Sequence, residues 1–331
     1  MMAASNLALF WAGVIALSIL VYVVLDGFDL GVGILFGLHA DEAERTQMMD
    51  SIAPFWDGNE TWLVVIGATL YAAFPMVYAV FLGAFYLPVL LLLFGLIFRG
   101  VAFEFRLHST RTRRFWDTGF FVGSALVAFV QGAALGAMMR GIPVADGQYA
   151  GGAFDWLAPF PVLTGIGLVL GYALLGAGWL VMKTEGPLRD AALRRIPTIA
   201  GAMLGVLALA FGLTLDHSTL AQSHLGERPW GLVFPVLGVA ALLAVLLFTR
   251  RQHDVLPFAM TVLFFVCAYL TLGVMYWPYM VPYQITVADA ANAEASLSFL
   301  FWGAGLFVLP VIAVYTIGVY WIFRGKVRKT H

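Results

Sequence analysis

Charge is scarce in this chain and cysteine almost absent. Charged residues make up 11% of the 331 and hydrophobic residues 62%, against about 25% and about 45–50% in soluble globular domains. A water-soluble fold would have too little polar surface, and no polar break is long enough to build a soluble domain. The single cysteine, Cys267, excludes an internal disulfide, an iron–sulfur cluster and a thiolate zinc site within the chain. The formal net charge of −1 gives no reason to expect nucleic acid. Histidine is also sparse. His39, His108, His217, His224, His253 and His331 all fall in breaks or at the ends of apolar runs. No two are placed mid-membrane on facing helices, where a six-coordinate haem needs its axial ligands. Met182, Met260 and Met275 read as packing residues. The expectation is that this chain ligates neither haem nor metal.

What the chain does have is apolar runs, at roughly 8–36, 60–77, 79–98, 117–139, 160–182, 197–215, 229–248, 255–276 and 298–322. A helix needs about 20 apolar residues to cross the ~30 Å hydrocarbon layer. Backbone groups in lipid must pair internally, and the runs do not alternate as barrel strands would. The opening segment, MMAASNLALFWAG, lacks a basic region and a small-residue cleavage site, so the first run is expected to be a retained helix. Sixteen of the eighteen Lys and Arg residues fall in every second break: at Arg45, from Arg99 to Arg114, from Lys183 to Arg195, at Arg250 and Arg251, and in the tail from Arg324. Only Arg140 and Arg228 lie on the other side. The positive-inside rule then places the N-terminus outside and the C-terminus in the cytoplasm. Fusing the second and third runs into one helix would destroy this alternation.

The predicted fold is therefore an all-α polytopic membrane protein of nine transmembrane helices, arranged as two four-helix bundles plus one peripheral helix. The units would be 1–140, 141–277 and 278–331, the last holding the ninth helix and a basic cytoplasmic tail. Trp156, Trp230, Trp277, Tyr279, Tyr283 and Trp321 recur at span edges, as an interfacial aromatic belt does.

Against this background two acidic clusters stand out. Asp26 and Asp29 follow the run IALSILVYVVL; three apart, they share one helix face. An ionised carboxylate at depth costs about 3 kcal/mol or more, so both should face protein or water. Gly27 and Gly31, and Gly33 and Gly37, are spaced to let another helix approach closely. The stretch GFDLGVG follows a hydrophobic helix and lacks the G-x-G-x-x-G spacing, so it is no dinucleotide fingerprint. In the second cluster, PFWDGNETWL, Asp57, Asn59 and Glu60 sit with Trp56 at the cytoplasmic start of the second span. Asp57 or Asn59 could cap that helix, and Glu60 could reciprocate a cap from Asp57. The alternative is a vestibule that gathers protons. In FRGVAFEFR, Arg99 either snorkels or pairs with Asp57 or Glu60, with Glu104 a further ion-pair candidate.

Four stretches, LDGFDLGVG at 25–33, SIAPFWDGNETWL at 51–63, AAFPMVYAVFLGAFYLP at 72–88 and FRGVAFEFR at 98–106, resemble subunit II of the cytochrome bd-type quinol oxidases, including their cyanide-insensitive branch. The resemblance implies a haem-free subunit of a quinol:oxygen oxidoreductase in a bacterial inner membrane. The partner would be a subunit I that carries haems b and d and oxidises quinol. Small single-helix accessory subunits, membrane lipid and a structural quinone within subunit II are also implied. It assigns Asp57, Asp29 and Asp26 to a proton path at the subunit interface. Glu60 stands where other members can have glutamine. Two rivals remain. A secondary transporter also needs membrane carboxylates but usually has repeated halves and a polar midplane site, and spans five to nine carry almost no ionisable groups. A scaffold subunit would use the acids for packing and capping alone.

Overall fold

The computed structural model describes residues 4–217 and 227–327. His224, His331, Arg328, Lys329 and most of the predicted break at 216–228 lie outside the described residues. The long helices are α1 (Asn6–Phe36), α3 (Trp56–Ala73), α4 (Pro75–His108), α5 (Arg113–Arg140), α6 (Pro159–Lys183), α7 (Pro187–His217), α8 (Val233–Arg250), α9 (Leu256–Tyr276) and α12 (Val308–Ile322). Short helices α2 (Glu42–Ile52), α10 (Val287–Ala290) and α11 (Glu294–Leu300) lie in the connections. Two small antiparallel hairpins, Val144–Ala145 with Gln148–Tyr149 and Tyr279–Val281 with Ile285–Thr286, close the loops at one end.

Among the described residues, eight helical stretches are long and apolar enough to cross a membrane. Helix α3 is not among them, because its first turns hold Asp57, Asn59 and Glu60. It is nevertheless a separate 18-residue helix. The second and third runs part at Phe74, next to Pro75 and a few residues before the run limits of 77 and 79; its backbone leaves the helical region (φ −138°, ψ 62°). Pro75 then opens α4, where its missing N–H costs nothing. Asn292, from the loop before α11, donates its side-chain amide to the Ala72 carbonyl at 2.9 Å and its backbone N–H to that of Ala73 at 2.9 Å. These bonds satisfy carbonyls left open at the end of α3. Helix α4 bends at Phe85 (φ −122°, ψ 25°), just before Pro88, whose ring excludes the regular bond to the preceding turn.

Helix α1 changes character along its length. Its first half buries one stripe, Ala8, Trp11, Ile15, Ser18 and Tyr22, whereas every residue from Asp26 to Phe36 is buried. The glycines explain how. A Cβ on Gly31 would lie 1.8 Å from the Tyr172 carbonyl oxygen, and one on Gly176 would lie 2.3 Å from the Gly31 carbonyl carbon. The α1 and α6 backbones therefore meet directly, as small residues allow in membranes. Phe28 stacks on Trp179 of α6 with ring centroids 3.9 Å apart. Helix α2, capped by Asp41 accepting from the Glu44 N–H at 2.9 Å, buries Met48, Met49 and Ile52 into the same core. Trp156, expected in the aromatic belt, is instead buried, while Trp230, Trp277 and Trp321 are exposed.

Candidate functional site

Arg99 of α4 is completely buried and meets three carboxyl groups. Its Nη1 donates to Asp26 Oδ1 at 2.9 Å and to Glu60 Oε1 at 2.9 Å. Its Nη2 lies 3.8 Å from Asp29 Oδ2. Asp26 and Asp29 are also completely buried. Asn59, one residue before Glu60 and itself buried, donates to Asp29 Oδ2 at 2.7 Å and to the Leu25 carbonyl at 3.3 Å. Tyr320 of α12 closes the group, its hydroxyl donating to Asn59 Oδ1 at 3.0 Å. Two helices thus bring carboxyls to the guanidinium of a third, and α12 joins the cluster through Asn59. Asp26 Oδ2, Asp29 Oδ1 and Arg99 Nε remain buried without a hydrogen-bonding protein partner.

The aspartates and Glu60 expected from the sequence come together, but the capping account fails. The residue before α3 is Phe55, with no side-chain cap. Asn59 faces Asp29, and Glu60 turns to Arg99 rather than back to Asp57. Asp57 stays exposed at the start of α3 and does not pair with Arg99. Glu104 is exposed too, 3.9 Å from His108 across one helical turn, and takes no part in the cluster. Trp56 stacks on Phe103, centroids 5.1 Å apart, and packs over Gly100. Of the three carboxyls around Arg99 only Glu60, with 24% of its side chain exposed, reaches the surface.

Sequence reasoning missed the inner end. Tyr22 stands one turn before Asp26 on α1, and Gln131 of α5 bridges it to Tyr172 of α6. Gln131 donates to the Tyr22 hydroxyl at 2.7 Å and accepts from the Tyr172 hydroxyl at 2.8 Å. A glutamine within an apolar span was the available signal.

A second ionic group lies two turns further along α4. Arg106, again completely buried, donates to Asp117 Oδ1 at 2.5 Å and to Glu42 Oε1 at 2.5 Å. Arg113 shares Glu42 at 2.8 Å, and Arg45 shares Asp117 at 3.0 Å. Both Arg45 and Arg106 stand over the Phe36 ring, 5.1 and 5.3 Å from its centroid. Beside them His39 joins Glu44 through Nδ1 at 2.8 Å and meets Arg195 Nη1 through Nε2. Burial pushes His39 below its ordinary value. Arginine has no acceptor, so Nε2 must offer its lone pair.

His39 is thus committed on both nitrogens, and His108 and His253 are exposed outside the spans. Their chemistry does not fit a pair of axial haem ligands. Among the described residues no group of three or more His, Cys, Asp or Glu side chains is placed to hold a metal ion.

Comparison with known proteins bears on this arrangement. The family described as "Cytochrome bd terminal oxidase subunit II" matches residues 7–323. The chain is similar to "Cytochrome bd-I ubiquinol oxidase subunit 2" of Escherichia coli (strain K12), 32% identical over 359 residues, covering 96% of this chain and 94% of the relative. It is similar to "Cytochrome bd ubiquinol oxidase subunit 2" of Bacillus subtilis (strain 168), 31% identical over 330 residues, with 96% of each covered. In fold it matches a chain of the bd oxidase from Geobacillus thermodenitrificans with a TM-score of 0.77 and 15% identity, covering 96% of this chain and 99% of that one.

Proposed function

Because this chain belongs to the cytochrome bd terminal oxidase subunit II family, we propose that its buried acid cluster takes protons from the cytoplasm toward the site of oxygen reduction in the partner subunit. The chain is the haem-free accessory subunit of a bacterial bd-type quinol oxidase, and redox catalysis takes place in the subunit that it accompanies. That partner would carry haems b and d and the quinol-oxidising site. Single-helix accessory subunits and a structural quinone belong to the same proposal.

The proposed topology counts α3 as a ninth span. Helices α1, α3, α4 and α5 would form one four-helix bundle, α6 to α9 the second, and α12 would stand outside. The split of basic residues, sixteen to two, supports an outward N-terminus and an inward C-terminus in the inner membrane. Glu60 and Asp57 would then open toward the cytoplasm.

The observation that carries the reading is three carboxyls on one buried guanidinium. Fully ionised, the group would hold two uncompensated negative charges. Two unit charges 4 Å apart repel by about 4 kcal/mol even at an effective dielectric of 20. A shared proton relieves that repulsion, and moving it among the carboxyls is the transfer proposed. Asp57 would gather protons at the mouth and Glu60 would pass them inward. Asp26 and Asp29 would hold them at depth, with Tyr22, Gln131 and Tyr172 extending the polar line across α5 and α6.

The test is oxygen reduction per haem in Glu60→Gln, Asp29→Asn, Asp57→Asn and the Asp29/Asp57 double variant, across a pH series. Each amide keeps its shape and accepts hydrogen bonds but exchanges no proton near neutrality. A rise of about 1.4 kcal/mol in the limiting barrier is a tenfold loss of turnover. That loss is expected for Glu60→Gln and Asp29→Asn, with haem retained. A double variant no worse than the poorer single would place Asp29 and Asp57 on one path. Wild-type rates throughout would leave the scaffold reading standing.

A further inference from the structure

Arg106 ends one apolar span and Arg113 begins the next, so the arginine group stands where hydrocarbon gives way to headgroups. Beside it a cavity of about 290 Å³ opens between the end of α1, α2 and α5, lined by Gly37, Arg45, Arg114, Asp117, Thr118 and Phe121. Phe121 packs against the Gly37 backbone, where an added Cβ would lie 2.4 Å from the ring. An aromatic wall therefore forms part of the lining.

The lining of this cavity holds two arginines and one carboxylate. Arg45, Arg106, Arg113 and Arg114 stand with Glu42 and Asp117. Asp50 feels the charge of Arg106 from α2, and Glu44 is taken up by His39. Asp117 spends one oxygen on Arg106 and the other on Arg45, so the carboxylate in the wall is already neutralised. Arg114 is exposed and makes no ion pair among the described residues. Behind the lining, Arg106 Nη1 and Arg113 Nε are buried with no hydrogen-bonding partner. Thr118 donates its hydroxyl to the Arg114 carbonyl at 2.9 Å, which leaves its oxygen as an acceptor.

We propose that this cavity binds a phosphate ester, supplied by the headgroup of an anionic phospholipid in the leaflet at the arginine-rich end. Arginine presents planar paired donors that match phosphate oxygens. An anionic leaflet attracts basic groups at its surface by about 1 kcal/mol each. Phe115 and Phe105, 57% and 54% exposed at the same level, offer apolar surface to acyl chains. A soluble phosphate would find the same donors, so the test separates the two sources.

The purified oxidase complex is placed in nanodiscs of phosphatidylcholine alone, or of phosphatidylcholine with phosphatidylglycerol. Lipid retained after transfer to detergent is measured by mass spectrometry. Wild type should retain phosphatidylglycerol selectively. Arg114→Gln should weaken that retention about fivefold, the loss of one arginine at the surface, while Arg114→Lys keeps most of it. Arg111→Gln, an exposed arginine outside the cavity, should leave retention unchanged. Inorganic phosphate that raises the thermal midpoint in phosphatidylcholine discs, an effect lost in Arg114→Gln, would keep the site and change the source. No preference in wild type, unchanged retention in Arg114→Gln, or equal loss in Arg111→Gln and Arg114→Gln would overturn it. None of these readouts depends on proton transfer through Glu60.

Discussion

Arg99 and Arg106 stand seven residues apart on α4, and both are completely buried, yet their surroundings are inverted. Three carboxyls share Arg99. Around Arg106 three arginines share two carboxyls. Neither residue type nor burial tells the two groups apart. The ratio of partners does. On the proposed readings, an excess of acid within the span would hold protons and an excess of base at its end would hold the protein against an anionic surface. The same inversion decides what each group does when one member is lost.

Arg99→Leu should have the largest effect. It leaves three carboxyls in the interior with no cation, and breaking a buried pair costs about 3–5 kcal/mol. The complex should fail to accumulate, as measured by haem per membrane protein. Adding Asp26→Asn should restore part of the yield; no restoration would break the view that excess negative charge is the fault. Arg106→Leu should cost less, because Glu42 is half exposed and Asp117 keeps Arg45. Its thermal midpoint should fall while turnover per haem holds.

Gly31→Ala comes next. Its methyl would collide with the Tyr172 carbonyl, and overpacking costs about 1–3 kcal/mol. Turnover should fall with stability, since Tyr172 closes the inner end of the acid line, whereas lipid retention at the arginine group should not change.

The smallest effect is that of pH on His39. Its folded value is depressed by burial, while the unfolded imidazole takes a proton near pH 6.5. Below that value the unfolded chain binds more protons, so stability falls as pH drops from 6.5 through the depressed value. Protonation would also set a second N–H against Arg195. The thermal midpoint should therefore drop on acidification below pH 6.5, and His39→Asn should flatten the drop.

The apolar runs and the shared helix face of Asp26 and Asp29 were legible because hydropathy and acid placement are local signals, whereas their meeting with Arg99 of α4 and Glu60 of α3 depends on packing between helices and was not. Capping was misread at α3 for a physical reason. A cap oxygen and a cross-helix partner draw on the same residue types, and only packing shows which way Asn59 turns. Glu104 was equally indistinct in sequence from a buried acid; its helix phase, five residues after Arg99, carries it to the outside. Gln131 joins two tyrosines on other helices, and Tyr320 is distant in sequence from the acids. Such contacts leave no pattern within a single segment.

The hydroxyl of Tyr320 has a consequence in time. It belongs to α12, made 261 residues after Asn59, yet it hydrogen-bonds to Asn59, which holds Asp29 of α1. Until α12 inserts, Asn59 Oδ1 lacks this bond. Lys183 strengthens the dependence, since its ammonium caps the carbonyls of Phe323 at 2.5 Å and Gly325 at 3.2 Å. A nascent chain therefore carries its acids early and completes their surroundings only once α12 has been made, so the buried acid cluster is finished late.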